Sequence, residues 1–332
     1  MIEKDKLYPL LFEPVYVRRM WGGTVMSEVL ERPLSEIKEP IGESWEISDR
    51  DDAQSTVLNG ELAGIDIKQL VESYGKDLVG RNFKGGRFPL LVKIIDAGKR
   101  LSLQVHPDEA ACQKLGEGAE PKTEMWYIIA ASRGAKIMAG LRANATRMRF
   151  ISTMNSSEVE ECLQTFDSVP GDAFFIKAGR VHAIGAGNLL LEIQQNSDTT
   201  YRVSDWGRVD ADGQSRELHV DKAMQCIDFM DRTPPIIRGV SDNVEHNRKF
   251  PIINKCPFFQ VSDLRLVDKW QDNTESTSSF HLITAIDNPV IVGRGEFCAR
   301  VEKGNTCLIP ACFGRYMITL VSGETTVVRT TL

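Results

Sequence analysis

From about residue 250 to its end the chain is a succession of short apolar or alternating runs, each closed by glycine, proline, asparagine or aspartate. Strand patterns fall at 258–267, 280–286, 290–292, 297–301, 306–309, 316–321 and 325–330. Side chains of a strand alternate between two faces. Runs this short therefore bury an apolar face only by pairing and stacking as sheets, and their spacing is that of an antiparallel barrel or sandwich. Upstream the same pattern recurs at 42–48, 89–95, 99–105, 124–130, 173–177 and 189–194. Helical patterns interrupt it at 27–30, 67–74, 108–115, 157–166 and 219–228, and Ser157 with Glu160 has the form of a capping box. The expected fold is mainly β: two antiparallel β-sandwich domains, the first carrying a few helical insertions. The polar stretch 238–249 marks the expected boundary, giving a domain over 1–245 and a second over 246–332.

Bulk properties narrow the function classes. A length of 332 residues is enough for two cores of ordinary size. The formal net charge of −6 comes without basic blocks, which argues against nucleic acid or a membrane surface as partner. An anionic small molecule stays open, because a pocket can be locally basic. The longest apolar-rich run, 88–95, is far too short to span a bilayer and contains Lys93. Residues 1–9 show no apolar stretch of signal-peptide length. Seven cysteines without Cys-x-x-Cys spacing suggest neither a disulfide framework nor a thiolate zinc site. A reduced, cytoplasmic protein is expected, and no segment specifies an oligomeric state.

Four polar residues stand out against this background: Gln104 and His106 in Leu101-Ser-Leu-Gln-Val-His-Pro107, Glu124 in Lys122-Thr-Glu-Met-Trp-Tyr127, and His182 in Ala178-Gly-Arg-Val-His-Ala183. Residues two apart on a strand share a face, so Gln104 and His106 point one way and Val105 the other. Glu124 opens a second strand and His182 a third, where Gly179 permits a sharp bend. Two imidazoles, a carboxylate and an amide oxygen suit one catalytic divalent metal with an open position. His219, His246 and His281 have no such company and are assigned to surface or packing roles. With no histidine after His281 the second sandwich cannot easily duplicate the site, and it is expected to be structural.

Read together, these segments resemble the type I mannose-6-phosphate isomerases of the cupin superfamily, in their shorter bacterial form. The resemblance runs through Trp21-Gly-Gly, Gly42-Glu-Ser-Trp-Glu-Ile-Ser, Pro89-Leu-Leu-Val-Lys-Ile-Ile-Asp, the Gln104-x-His106 and Lys122-x-Glu124 pieces, and Leu191-Glu-Ile-Gln-Gln-Asn-Ser-Asp-Thr-Thr-Tyr-Arg202. It covers about residues 10–230. Two departures are visible: Lys177 stands where the second cupin motif has proline, and Gln-x-His replaces His-x-His. The resemblance implies cupin jelly-roll domains and one zinc ion per chain on Gln104, His106, Glu124 and His182. It also implies Arg202 as the active-site arginine and a small sugar phosphate as substrate.

The implied reaction is an aldose–ketose isomerisation of mannose 6-phosphate and fructose 6-phosphate through an enediol. It needs a base and positive charge on the developing enediolate oxygen. Arg202 stays charged and suits the second task; the competing reading is an ion pair with Asp198. Lys122, two residues from Glu124, is a candidate base because burial and a nearby cation would lower its pKa, unless it is a solvated surface lysine. Glu192 is a second candidate base, or a partner of a metal-bound histidine. Ser102, Lys93 and Arg100 are the candidate phosphate donors. Glu43 and Trp45 are read as ties between the N-terminal segment and the barrel, and Trp126 as packing. Two other functions fit the same residues: an Fe(II) cupin oxygenase, whose two-histidine, one-carboxylate triad is present, and a non-catalytic sugar-binding cupin.

Overall fold

Alternation along the strands sorts the site-bearing part of the chain into two antiparallel sheets. The computed structural model describes residues 2–34, 39–116, 118–209, 212–237 and 240–332. The smaller sheet has five strands in the order Leu163–Asp167, Lys136–Leu141, His182–Ile184, Leu103–Val105, Tyr201–Ser204. A seven-stranded sheet runs Ile236–Ile237, Ala173–Ile176, Glu124–Ala131, Asn188–Gln195, Leu90–Ala97, Val15–Gly23, Ile41–Ile47. Ile137, Ala139 and Ile184 of the first sheet pack with Trp126, Ile128, Phe174 and Leu190 of the second, which forms the sandwich interior. On the other face of the small sheet, Leu103, Val105, Ala183 and Val203 meet Ala111, Phe150 and Met224 of a helical layer. That layer consists of Glu109–Leu115, Arg147–Thr153 and Val220–Cys226. Val105 thus faces away from the sandwich interior, as the alternation requires.

The chain divides into two compact units that are not contiguous in sequence: Tyr16–Ser44 with Lys93–Ile237, and Met1–Val15 with Trp45–Val92 and Arg238–Leu332. This differs from a linear division at 245/246, and residues 238 and 239 of the expected boundary stretch lie outside the described residues. The reason is pairing. Leu10–Leu11 runs antiparallel to Thr306–Ile309, a partnership between distant segments that no local pattern encodes. The C-terminal strands, with Leu10–Leu11 added, form a seven-stranded sheet, and four more form a second sheet. Between them lies a core of Leu264, Ile283, Val292, Val301, Tyr316 and Val327. His281 is fully buried there, bonded to the Tyr316 hydroxyl at 2.7 Å and to Thr277 at 2.9 Å. His246 is exposed.

One helix expectation is corrected. Residues 157–162 form a 3-10 turn capped by Ser156, whose hydroxyl accepts from the Glu158 amide, and the chain then becomes the strand Leu163–Asp167. Glu-rich sequence with apolar residues at mixed spacing satisfies both periods, and pairing with Lys136–Leu141 decides the second half.

The Trp21-Gly-Gly motif has a steric cause. A Cβ on Gly22 would lie 2.7 Å from the Gly42 nitrogen, and one on Gly23 would lie 2.0 Å from an Asp96 carboxylate oxygen. That same carboxylate accepts from the Met26 amide at 2.7 Å and so holds the start of the helix Val25–Val29. Gly23→Ala must displace it. The variant is expected to lose about 1–3 kcal/mol of unfolding free energy, measurable by urea titration. A loss under about 0.5 kcal/mol, the range of neutral surface changes, would refute the steric account.

Candidate metal centre and active site

Strand register builds the site. His182 and Arg202 both stand directly opposite Gln104 on the flanking strands. Directly paired residues of an antiparallel sheet point to one face, so the three form a row on the sandwich interior. His106 follows just past the end of its strand. Glu124 projects from the other sheet, paired with Ile176 and Gln194. His106, Glu124 and His182 are all buried, and their ligand atoms lie within 4.8 Å of one another. Among the described residues this is the single group of three such side chains.

Each imidazole is oriented by its far nitrogen. His106 Nδ1 lies 2.8 Å from the Thr199 carbonyl and His182 Nδ1 lies 2.8 Å from the Arg180 carbonyl. A carbonyl only accepts, so both Nδ1 atoms carry the proton and both Nε2 lone pairs face the centre, the tautomer a metal-bound histidine needs. His106 Nε2 then lies 3.1 Å from Glu124 Oε1 with no proton to share. His106 Nε2 and Glu124 Oε2 are buried without a hydrogen-bond partner among the described residues. Electron-rich atoms gathered this way fit a cation. Gln104 Nε2 lies 3.3 Å from His182 Nε2, while its Oε1 accepts from Ser102 Oγ at 3.2 Å. Half a turn of the amide puts the oxygen at the centre and gives Ser102 an N–H to accept, which makes Gln104 a fitting fourth ligand.

Electrostatics agree. Burial, with Lys122 adding to it, lowers the His106 pKa, and burial with His106 takes His182 down to about 3. Both rings are therefore neutral at pH 7. Burial opposes the Glu124 carboxylate, but the interactions led by the Lys122 ammonium outweigh it and hold its pKa well below the usual range. Lys122, with its Nζ 2.9 Å from Glu124, departs from the expectation that its pKa would fall. Burial does push it down, yet Glu124, Glu192 and Asp198 together raise it above the ordinary lysine value. It is held as an ammonium by three carboxylates. Glu192 moves the other way: burial and Glu124 lift it to about 7 against Lys93, Lys122 and a hydrogen bond from Trp126. That bond, from Trp126 Nε1 at 2.8 Å, gives Trp126 a positioning contact beyond packing, and its ring also meets His182 edge-on at 5.3 Å.

Beside these groups lies a cavity of roughly 580 Å³, lined among others by Ser102, Gln104, Lys122, Glu192, Asp198 and Arg202. Lys93 also lines it but sits among Glu43, Glu192 and Asp198 at 3.8, 3.8 and 3.9 Å. Arg100 is not part of the lining; it stacks 3.5 Å over Trp206 and pairs with Glu160 at 2.7 Å. Asp198 approaches Lys93 rather than forming the alternative pair with Arg202. The Arg202 guanidinium donates to the Glu217 carbonyl at 2.6 Å, its backbone amide donates to His219 Nδ1 at 3.2 Å, and its Nε has no partner among the described residues. His219 therefore props the Arg202 strand. Glu43 holds Arg19 through two contacts of 2.9 and 3.2 Å.

Arg216 was not legible in the sequence. It lines the cavity, held by Asp205 Oδ2 at 2.8 Å from its Nε, and lies near enough to Arg202 to lower that pKa after burial. Its surroundings in sequence are polar and aperiodic, so no pattern singles it out.

The comparisons with known proteins meet this geometry. The family described as "Phosphomannose isomerase type I, catalytic domain" matches residues 10–127. Mannose-6-phosphate isomerase ManA of Bacillus subtilis (strain 168) is 36% identical over 311 residues, covering 93% of this chain and 95% of that protein. Mannose-6-phosphate isomerase of Streptococcus mutans is 32% identical, with 91% and 92% covered. The crystal structure of the Bacillus subtilis mannose 6-phosphate isomerase superposes with a TM-score of 0.87 at 29% identity, over 98% of this chain and all of that one (100%). A phosphomannose isomerase variant from Salmonella typhimurium, at 15% identity and TM-score 0.76, shares the fold. Full-length similarity to these enzymes, on a mainly β scaffold of cupin type with its histidines and glutamate converged, means that the chain belongs to the type I mannose-6-phosphate isomerase family.

Proposed function

We propose that this chain interconverts mannose 6-phosphate and fructose 6-phosphate through an enediol, with one zinc ion on His106, Glu124, His182 and Gln104. The observation that carries the reading is the convergence of two Nε2 lone pairs and a carboxylate, none with a proton to share, beside a cavity rich in cations. Nitrogen and oxygen ligands without thiolate suit zinc with an open position. When bound, the ion supplies Lewis-acid charge to the sugar oxygens.

The chain's own residues account for the remaining steps. Glu192, titrating near neutrality, takes the proton from carbon 2 and returns it at carbon 1, while in the enediol the hydroxyl proton passes from O2 to O1. Trp126 Nε1 and Lys93 hold that carboxylate in place. Lys122, kept as an ammonium, and Arg202 put positive charge where the enediolate oxygen develops. Arg216 receives the phosphate, with the Ser102 hydroxyl as a further donor. Lys93 neutralises carboxylates instead, and Arg100 buttresses the Trp206 loop. All seven cysteines are free, which supports a reducing, cytoplasmic compartment. No described helix is long and apolar enough to cross a membrane.

The test is direct. Purified protein should isomerise mannose 6-phosphate, stop when stripped by chelator and recover with zinc. Isomerisation that survives complete metal removal overturns the reading, and iron in elemental analysis with oxygen uptake would replace it by an oxygenase. Arg202→Ala should lower kcat by roughly 10²–10³-fold, as for loss of one oxyanion donor, with zinc content unchanged. Unaltered turnover would refute its role.

A further inference from the structure

Arg180 is a cation buried deep in the site-bearing unit, with 1% of its side chain exposed. Its Nε donates to Asp231 Oδ2 at 2.8 Å, its Nη1 to the Phe175 carbonyl at 2.6 Å, and its Nη2 to Thr233 through the carbonyl at 3.0 Å and Oγ1 at 2.6 Å. Asp231 Oδ1 accepts from the Thr233 amide at 3.0 Å and hydroxyl at 2.7 Å, and faces Lys177 Nζ at 3.2 Å. Buried ion pairs of this kind seldom add net stability over apolar packing, because both charges must be desolvated. What they do is fix geometry, and the geometry fixed here is the turn from Lys177 to His182.

That turn touches both histidines of the candidate centre. The Gly179 amide donates to the His106 carbonyl at 2.9 Å, and the Arg180 carbonyl accepts from His182 Nδ1 at 2.8 Å. The turn is tied to the clamp's own segment as well, since the Asp228 amide donates to the Gly179 carbonyl at 2.8 Å. Lys177, standing where a rigid proline is usual in the motif, takes part in the clamp by its charge. We infer that Lys177, Arg180, Asp231 and Thr233 form a positioning clamp that sets the direction of His182 Nε2 and the place of His106, and so tunes metal affinity. The inference rests on the metal reading above.

Asp231→Asn keeps the shape and removes the charge; Thr233→Val removes the hydroxyl that links Arg180 to Asp231. Zinc affinity of each variant is read by competition with a chromophoric chelator, at a temperature where thermal unfolding of the metal-free protein shows every variant folded. Cobalt(II) substitution then reports ligand geometry through its visible absorption bands. Asp231→Asn acts through the Arg180 carbonyl and is expected to bind zinc up to about 10-fold more weakly, the lower end of the cost of losing a ligand's direct outer partner, and to shift the cobalt bands. Thr233→Val should fall between it and the parent. Affinity and cobalt spectra equal to the parent in both variants, with only the melting temperature lowered, overturn the inference while leaving the metal reading intact. A parent protein that takes up no zinc overturns that reading and this inference with it.

Discussion

His182→Ala is expected to abolish tight zinc binding and to lower isomerisation by about 10³-fold or more. The magnitude follows from several kcal/mol of lost Lewis-acid stabilisation, at 1.36 kcal/mol per decade of rate. The cause is geometric. Gln104 and His182 are paired across adjacent strands, so the alanine opens a gap in the row that no neighbour fills: Ala139, opposite His182 on its other side, has no donor atom. Glu124 and His106 would then face each other with Lys122 2.9 Å from Glu124 Oε1. Elemental analysis and a mannose 6-phosphate assay on the variant check this. Full zinc stoichiometry with turnover near the parent's would mean that the three side chains do not form the centre.

Much of that centre was legible because it depends on alternation. Gln104 and His106 share a face by the two-residue period, and the structure places Leu103 and Val105 on the opposite face against helices. Glu124 at the head of an apolar run and His182 after a flexible glycine were legible as strand ends. Arg216 was not, since it meets the cavity by folding back from a polar loop onto Asp205. The interleaved units were equally hidden. The run at 306–309 reads as a strand, but only the folded chain shows that Leu10–Leu11 is one of its partners. The direction of the Lys122 pKa depended on counting the carboxylates around it, Asp198 and Glu192 included, and these come from segments some 70 residues further along.

Glu192→Gln is expected to separate proton transfer from metal binding. The carboxylate is buried at the cavity, receives Trp126 Nε1 at 2.8 Å and lies 3.8 Å from Lys93, which also lines it. Burial and the nearby Glu124 raise its pKa to about 7, where a base is half ionised at neutral pH and still basic enough to take a proton. A base must be deprotonated to act, so kcat should fall as pH drops below about 7 and level off above it. Glutamine preserves the acceptor oxygen for Trp126 and the volume, but cannot take a proton. The variant should lose roughly 10²–10⁴-fold in kcat, the usual share of general acid–base catalysis, and its residual rate should lack the acid limb. Zinc content and KM should change little, because Glu192 touches no metal ligand directly. If the limb near pH 7 persists in the variant, the titrating base is another group. A variant with the parent's kcat would move proton transfer away from Glu192 altogether.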